Sequence, residues 1–520
     1  MAVVGVYSTA QIKKGQIALT SLNDLKSRLH DNVVLGSVDS LIGWDQQCYM
    51  PTGGASGRAE QMALLSRLKH EWLTAPETER LLTTAERESV DLSPHSDDAA
   101  YLRVARRDFE LATKVPTELV SEIASTSALA HEEWVKARAN NDFAHFAPWL
   151  EKNVDLARRL ADYLGYGGER YDALVDQYEQ GATADSVRKV FETLKPELVS
   201  LVRAITERGK AVDASPLHRD FDESAQLAFG EGVIRKFGFD FTRGRQDRAV
   251  HPFCTTISHG DVRITTRFER NFLSPALFGT MHETGHALYE QGVKAEFDGN
   301  ILFGGTSLGI HESQSRLWEN LVGRSMPFWE RFYPDLLSAF PGVLDDVALP
   351  DFYRAINKVE PTLIRVEADE VTYNLHILLR FEIEIELLEG RLSVKDAPEA
   401  WNAKMQEYLG LTPPTNSAGI LQDVHWSGGM IGYFPTYTIG NVVSVQLYEK
   451  ANEDLGGNIP DQIRAGEFGP LLQWLRTNIH GYGRKYPPKE LLQQATGRGI
   501  DAQPYLAYLR NKFGSVYELD

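Results

Sequence analysis

From Leu25 to about Phe241, apolar residues recur at spacings of three and four, as in Leu102, Ala105, Phe109 and Ala112, or Leu156, Leu160 and Tyr163. This is the period of helices with one buried face. Pro116 and the glycines between Gly165 and Gly168 break the pattern at helix length. Between His251 and Phe268 it changes to alternation in CTTISHGDVRITTRF, rich in Thr, Ile and Val around Ser258–Asp261, which predicts a β-hairpin. Helical periodicity resumes at Ser274 and dominates to the C-terminus, apart from the Gly- and Tyr-rich segment 428–441. The stretch from Arg365 through FEIEIELLEG (381–390) reads as one long helix with solvated carboxylates. Without internal repeats or linker-like tracts, residues 1–520 are expected to form a single, mainly helical unit of two lobes.

Within the second helical stretch lies MHETGHALYEQG, residues 281–292. Ser274 suits an N-cap, Pro275 the first turn and Gly292 a C-cap, so the spacing predicts one helix over 275–291. His282 and His286 then lie one turn apart on one face, with Glu283 angularly adjacent. Two imidazoles at this spacing can reach one cation, and a carboxylate beside them can serve as general base. A catalytic zinc needs a third protein ligand from elsewhere. Glu312, in a helix expected to begin near Thr306, is the candidate. It lies one turn after Leu308 on the same face, and a cation would explain a buried carboxylate there. An HExxH string arises by chance in roughly one chain in forty of this length and composition, so the motif needs support from other positions.

Composition narrows the classes. A chain of 520 residues with 42% hydrophobic content can bury a large core. A net charge of −18 opposes a phosphate-tracking surface, so nucleic acid is not an expected partner. No run of 18 apolar residues is present, so no membrane span is expected. The opening MAVVGVYSTAQIKKGQ lacks the charged and apolar regions of a secretory leader, and the final Tyr-Glu-Leu-Asp matches no retention signal. Two cysteines, Cys48 and Cys254, are too few for a disulfide framework, and a cytoplasmic location is expected. Cys254 reads as a small buried hydrophobe.

The segment GILQDVHWSGGMIGYFPTYTIGN (419–441) gathers His425, Tyr433 and Tyr437 among glycines that allow close approach to a ligand. A phenol or imidazole there could stabilise a developing oxyanion, or the aromatics could simply pack. Arg365 could clamp a carboxylate, although spacing alone favours an intrahelical pair with Asp369. His251 is weak evidence alone, and Arg263 reads as a solvated strand residue.

HPF at 251, DVRIT at 261, HETGH at 282, HESQS at 311, RVEAD at 365 and GILQDVHW at 419 together resemble, in order and spacing, the motifs of the carboxypeptidase Taq family of prokaryotic and trypanosomatid metallocarboxypeptidases. WDQQCYMP (44–51) also looks like that family's N-terminal region. The resemblance implies a helical, two-lobed fold with a deep cleft and a small β-sheet, similar to neurolysin and angiotensin-converting enzyme. It implies a homodimer that removes single C-terminal residues from peptides using one zinc ion per subunit, which cobalt can replace. By the same resemblance His282, His286 and Glu312 are the metal ligands and Glu283 the general base. Arg365 would bind the substrate's terminal carboxylate, and His251 and Arg263 would belong to the closed end of the cleft. His425 and Tyr437 would polarise the carbonyl, with Tyr433 as a competitor. An oligopeptidase with the same zinc site, cutting internally or releasing dipeptides, is the alternative; a helical scaffold without catalysis would have no use for Glu283.

Overall fold

The computed structural model describes residues 20–519, so the opening segment read above for a leader lies outside the described residues. The expected mainly helical architecture is present, with one three-stranded sheet. A continuous hydrophobic core runs from Val115 to Tyr517. A second, smaller core joins the Thr20–Cys48, Pro76–Glu88 and Asp97–Lys114 helices to Val293, Phe297 and Leu302, just beyond the HETGH helix. The Ala55–Thr74 helix buries no residue. No helix among the described residues is long and apolar enough to cross a membrane.

The predicted hairpin forms: β2 (Cys254–Ser258) pairs antiparallel with β3 (Asp261–Thr266), with Cys254 opposite Ile264. The pattern missed β1 (Gly244–Arg248), which pairs parallel with β3 on its other side. GRQDR carries no apolar alternation, so only the backbone ladder to β3 makes it a strand. The close approach explains Gly244, where a Cβ would collide with the Val262 carbonyl oxygen.

The motif helix spans Leu273–Gly292, starting earlier than expected. Phe272, not Ser274, takes the N-cap position, in extended backbone bridged to Glu269 and without a side-chain cap. Burial replaces the cap, since side chains around nearly the whole circumference are inaccessible. Gly292 is the last helical residue rather than a C-cap; a Cβ there would lie 2.5 Å from His480 Nδ1.

The long helix expected from Arg365 is broken. Arg365–Glu367 is a single 3₁₀ turn, and the helix proper is Tyr373–Leu388. Asp369 accepts hydrogen bonds from the Val371 and Thr372 amides instead of pairing with Arg365. The carboxylates of FEIEIELLEG are not all solvated either, because Glu384 is 1% exposed. The Gly- and Tyr-rich segment ends inside a helix, Pro435–Asp454, which carries Tyr437.

Candidate active site

Glu312 sits in the Leu308–Arg316 helix, whose Ser307 caps it by accepting from the Ile310 amide. The helix begins close to the expected place, but the facing argument from Leu308 fails: Leu308 is 37% exposed and Glu312 is 6% exposed. Glycines bury Glu312 instead. At Gly285, between the two motif histidines, a Cβ would meet the Gln314 carbonyl oxygen and Ser315 Cα at 2.5 Å. At Gly440, on the Pro435–Asp454 helix, a Cβ would meet Glu312 Cγ at 2.5 Å. Two backbones thus close on the helix that carries Glu312, one at Gln314 and Ser315 and one at Glu312 itself, at distances that any larger residue would prevent.

The result is a three-donor cluster. Glu312 Oε2 lies 3.6 Å from His282 Nε2 and 3.4 Å from His286 Nε2, and the three residues form a group able to hold a metal ion. Bonds of 2.0–2.1 Å in tetrahedral geometry would place donors about 3.3 Å apart, so the set fits a small divalent cation. The outer nitrogens are also engaged. His282 Nδ1 lies 2.9 Å from Glu319 Oε2, and His286 Nδ1 lies 2.6 Å from His311 Nδ1, whose Nε2 lies 2.8 Å from Glu290. If both Nε2 atoms keep lone pairs for a metal, each Nδ1 carries the proton, and His311 passes the chain on to the Glu290 carboxylate.

The charge balance agrees with a divalent ion. Glu283, Glu290, Glu312 and Glu319 are all buried, while Arg316 and Arg324 are the guanidiniums paired with Glu312 and Glu319. With all four ionised, two negative charges are left unbalanced by guanidinium; with Glu283 protonated, one is. Burial pulls His286 down to about 4, so its imidazole is neutral. Burial opposes ionisation of Glu319, but His282 and Arg316 outweigh it and hold this carboxyl down at about 2. Burial pushes Glu283 up to about 7, against the pull of His282. Its carboxylate accepts no hydrogen bond among the described residues, which leaves it free to take a proton.

Sequence reasoning missed Glu319, His311, Glu290 and Arg316. Glu290 had a signal, four residues after His286 on the same face, and His311 directly precedes Glu312. Glu319 lies in a π-helical segment, Leu317–Gly323, of the kind found at functional sites.

Arg365 is 5% exposed and belongs to a different network from the one its spacing suggested. Its Nε and Nη2 both lie 2.9 Å from Asp423 Oδ1, and its Nη1 donates to the Tyr373 phenol at 2.8 Å. Arg380, fully buried, binds the other oxygen of the same carboxylate at 2.6 Å. Burial lowers Arg380 to about 10, still protonated at neutral pH. Two cations therefore share one carboxylate. The Tyr373 ring joins this network to the metal cluster, since Arg316 stacks over it at 4.7 Å.

His425 and Tyr437 come together, with Nε2 and the phenol oxygen 3.4 Å apart. Tyr433 lies beside both, its ring centroid 5.4 Å from each. Tyr437 lies 5.1 Å beneath the Arg365 guanidinium. Burial pulls His425 down to about 4, so the ring is neutral. Arg263 is not solvated: its guanidinium stacks on Trp44 at 4.1 Å and pairs with Asp261. His251 is exposed in the loop before β2. Cys254, half-buried on β2, has a thiol raised well above its usual range by burial and by Glu283, as suits an inert residue. A cavity of about 950 Å³ lined by Arg103, Arg106, Lys114 and Tyr166 shares no residue with this cluster.

Two histidines and a glutamate converging beside a free carboxylate, on buried helices, define a metal-dependent hydrolase. The family model described as Carboxypeptidase Taq (M32) metallopeptidase matches residues 24–513, and the chain belongs to that family. The chain is 44% identical to Thermostable carboxypeptidase 1 of Thermus thermophilus over 497 residues, covering 94% of this chain and 97% of the relative. It is 42% identical to Thermostable carboxypeptidase 1 of Pyrococcus furiosus, covering 92% and 95%. The crystal structure of the M32 carboxypeptidase from Deinococcus radiodurans R1 superposes with a TM-score of 0.93 at 44% identity, covering 96% of this chain and all of that one. The protein is a metallocarboxypeptidase.

Proposed function

We propose that this enzyme removes single residues from peptides with a free C-terminus and broad side-chain preference, with zinc held by His282, His286 and Glu312. The observation that carries this reading is the buried pairing of two guanidiniums with one carboxylate. Arg365, Arg380 and Asp423 leave one positive charge beside the Tyr437 ring. A substrate's terminal carboxylate would balance it, which sets only the last peptide bond in register.

A bound zinc supplies Lewis acidity, polarising the scissile carbonyl and acidifying a water. Glu283 takes the proton from the attacking water on its carboxylate and delivers it to the leaving amine nitrogen. A group buried to a value of about 7 is suited to both transfers at neutral pH. The Tyr437 phenol and His425 Nε2 donate to the carbonyl oxygen as it becomes an oxyanion, with Tyr433 packed against both. Arg263, with Trp44 and Asp261, and exposed His251 are assigned to the closed end of the cleft. The chain acts as one catalytic unit, its smaller N-terminal core and its main core forming the two lobes. A cytoplasmic location and a homodimeric state complete this reading; the two free cysteines suit a reducing compartment.

Mass spectrometry of a blocked peptide ladder, with and without a chelator, tests the reading. Loss of single C-terminal residues, abolished by chelation and restored by zinc, is the expected outcome. Two-residue losses or internal fragments would move the assignment to an oligopeptidase with the same metal site.

A further inference from the structure

We propose that Glu384 is a positioning residue for catalysis, holding the loop that carries His425 and Tyr433 through a carboxylate shared by three donors. This rests on the reading above that His425 and its neighbouring phenols polarise the scissile carbonyl.

That segment has no regular structure before Pro435, so its order must come from side-chain anchors. The Tyr373–Leu388 helix supplies two of them, Arg380 and Glu384, one turn apart on one face and 0% and 1% exposed. Arg380 grips the front of the loop, with Nε on Asp423 at 2.6 Å and Nη2 on Gln422 at 2.8 Å. Glu384 grips the rest. Its Oε1 accepts from Trp426 Nε1 at 2.8 Å, and its Oε2 accepts from the Gly432 amide at 3.1 Å and the Tyr171 hydroxyl at 2.8 Å. Trp426 directly follows His425, and Gly432 directly precedes Tyr433. One carboxylate therefore spaces the two ends of the catalytic stretch.

The opposite side of the loop is closed as well. Gly432 has φ +92°, and a Cβ on it would lie 2.8 Å from the backbone of Leu174, in the short helix that also bears Tyr171. The turn is thus pinned between that helix and Glu384. Asn153 adds hydrogen bonds to the Trp426 and Ser427 carbonyl oxygens.

An amide cannot replace this carboxylate. Either orientation of a glutamine sets its NH₂ against the indole N–H or against the Gly432 amide and Tyr171 hydroxyl, so at least one buried donor loses its acceptor. Burial lifts Glu384 to about 7, while Trp426, Tyr171 and the Gly432 amide favour its ionised form.

The test uses purified full-length enzyme with measured metal content and a short blocked dipeptide substrate. It compares Glu384→Gln, His425→Ala and the double variant. The expected result is a loss in kcat of about tenfold or more for Glu384→Gln per metal-loaded site, with KM changed by less than about threefold, because misplaced reacting groups cost turnover. In the His425→Ala background the same substitution should change kcat by less than about twofold. Tyr171→Phe, which keeps the carboxylate and removes one donor, should lower kcat in the same direction by about two- to fivefold and keeps the test decisive should Glu384→Gln fold poorly. Wild-type kcat in Glu384→Gln or Tyr171→Phe, or an equal loss in both backgrounds, overturns the proposal. A strong His425→Ala effect beside a silent Glu384→Gln overturns only this inference, whereas a silent His425→Ala overturns the underlying reading and this inference with it.

Discussion

The metal half and the carboxylate half of the site meet at Tyr373 but are built on opposite plans. In the metal half, two helices carry all three proposed ligands, and glycines at 285 and 440 let the neighbouring backbones close on the helix of Glu312. In the carboxylate half, a 3₁₀ turn and an irregular loop are held by buried charges, Arg365, Arg380 and Asp423. Helix geometry places a ligand by covalent spacing, so few outer contacts are needed to refine it. A loop has no such ruler, and each functional group needs its own buried hydrogen bond or ion pair. The metal half should therefore tolerate loss of an outer partner with a graded fall in affinity. Disturbance of the carboxylate half should be felt in substrate binding and turnover.

The largest expected effect separates chemistry from metal binding. Glu283→Gln should retain its metal and lose about 10²–10⁴-fold in turnover per bound ion, measured by metal analysis with active-site-normalised kinetics. Metal-dependent turnover near wild type would remove Glu283 as the base.

Next comes Arg365. Removing a charge-assisted contact is worth about 1.5–3 kcal/mol, so Arg365→Gln should lower kcat/KM on free-acid peptides by about tenfold to a hundredfold. Because Asp423 keeps Arg380, the variant should still fold. The same logic predicts that the wild type strongly prefers free-acid over amidated peptides, and equal cleavage of both would dissolve the carboxylate half of the comparison.

In the metal half, Glu319→Ala frees His282 Nδ1 and should weaken metal affinity by about 10–100-fold, read by competition with a chelating dye. Turnover at saturating metal should change less. The reverse split, intact affinity with lost turnover, would mean that Glu319 acts on the reaction rather than on the ligand.

The smallest effect concerns Glu179, which links the first half of the chain to the ligand helix by accepting from the Gly309 amide at 2.9 Å. Burial raises it to about 7, against the donors Ser307 and Gly309. The folded chain then holds a proton that an unfolded glutamate has released. Its contribution is full below the unfolded value and is lost as pH rises from about 4.5 to about 7, at no more than about 1.4 kcal/mol per pH unit. Glu179→Gln should flatten that part of the stability profile in denaturant titrations at several pH values; an unchanged slope would clear Glu179 of this role.

Much of the metal half was legible from residue order. The 3.6-residue period brought His282, Glu283 and His286 together, and the strength of alternation around Asp261 brought out the hairpin, because both are consequences of local backbone geometry. Glu312 does lie beside both histidines, though not for the reason its spacing gave: Leu308 faces outward, and Gly285 and Gly440 let neighbouring backbones close on the Glu312 helix. What local spacing suggested for Arg365, a pair with Asp369, failed because a turn, not a helix, surrounds it; its partner lies 58 positions away. Glu384 looked like one of several solvated acids, and β1 like nothing at all. The sequence by itself determined which segments coil and which atoms share a helix face, since those follow from torsions and periods along the chain. Only the tertiary structure decided which charges are buried together, because pairing across tens of residues depends on how closely backbones pack, and glycines without side-chain pattern set that distance.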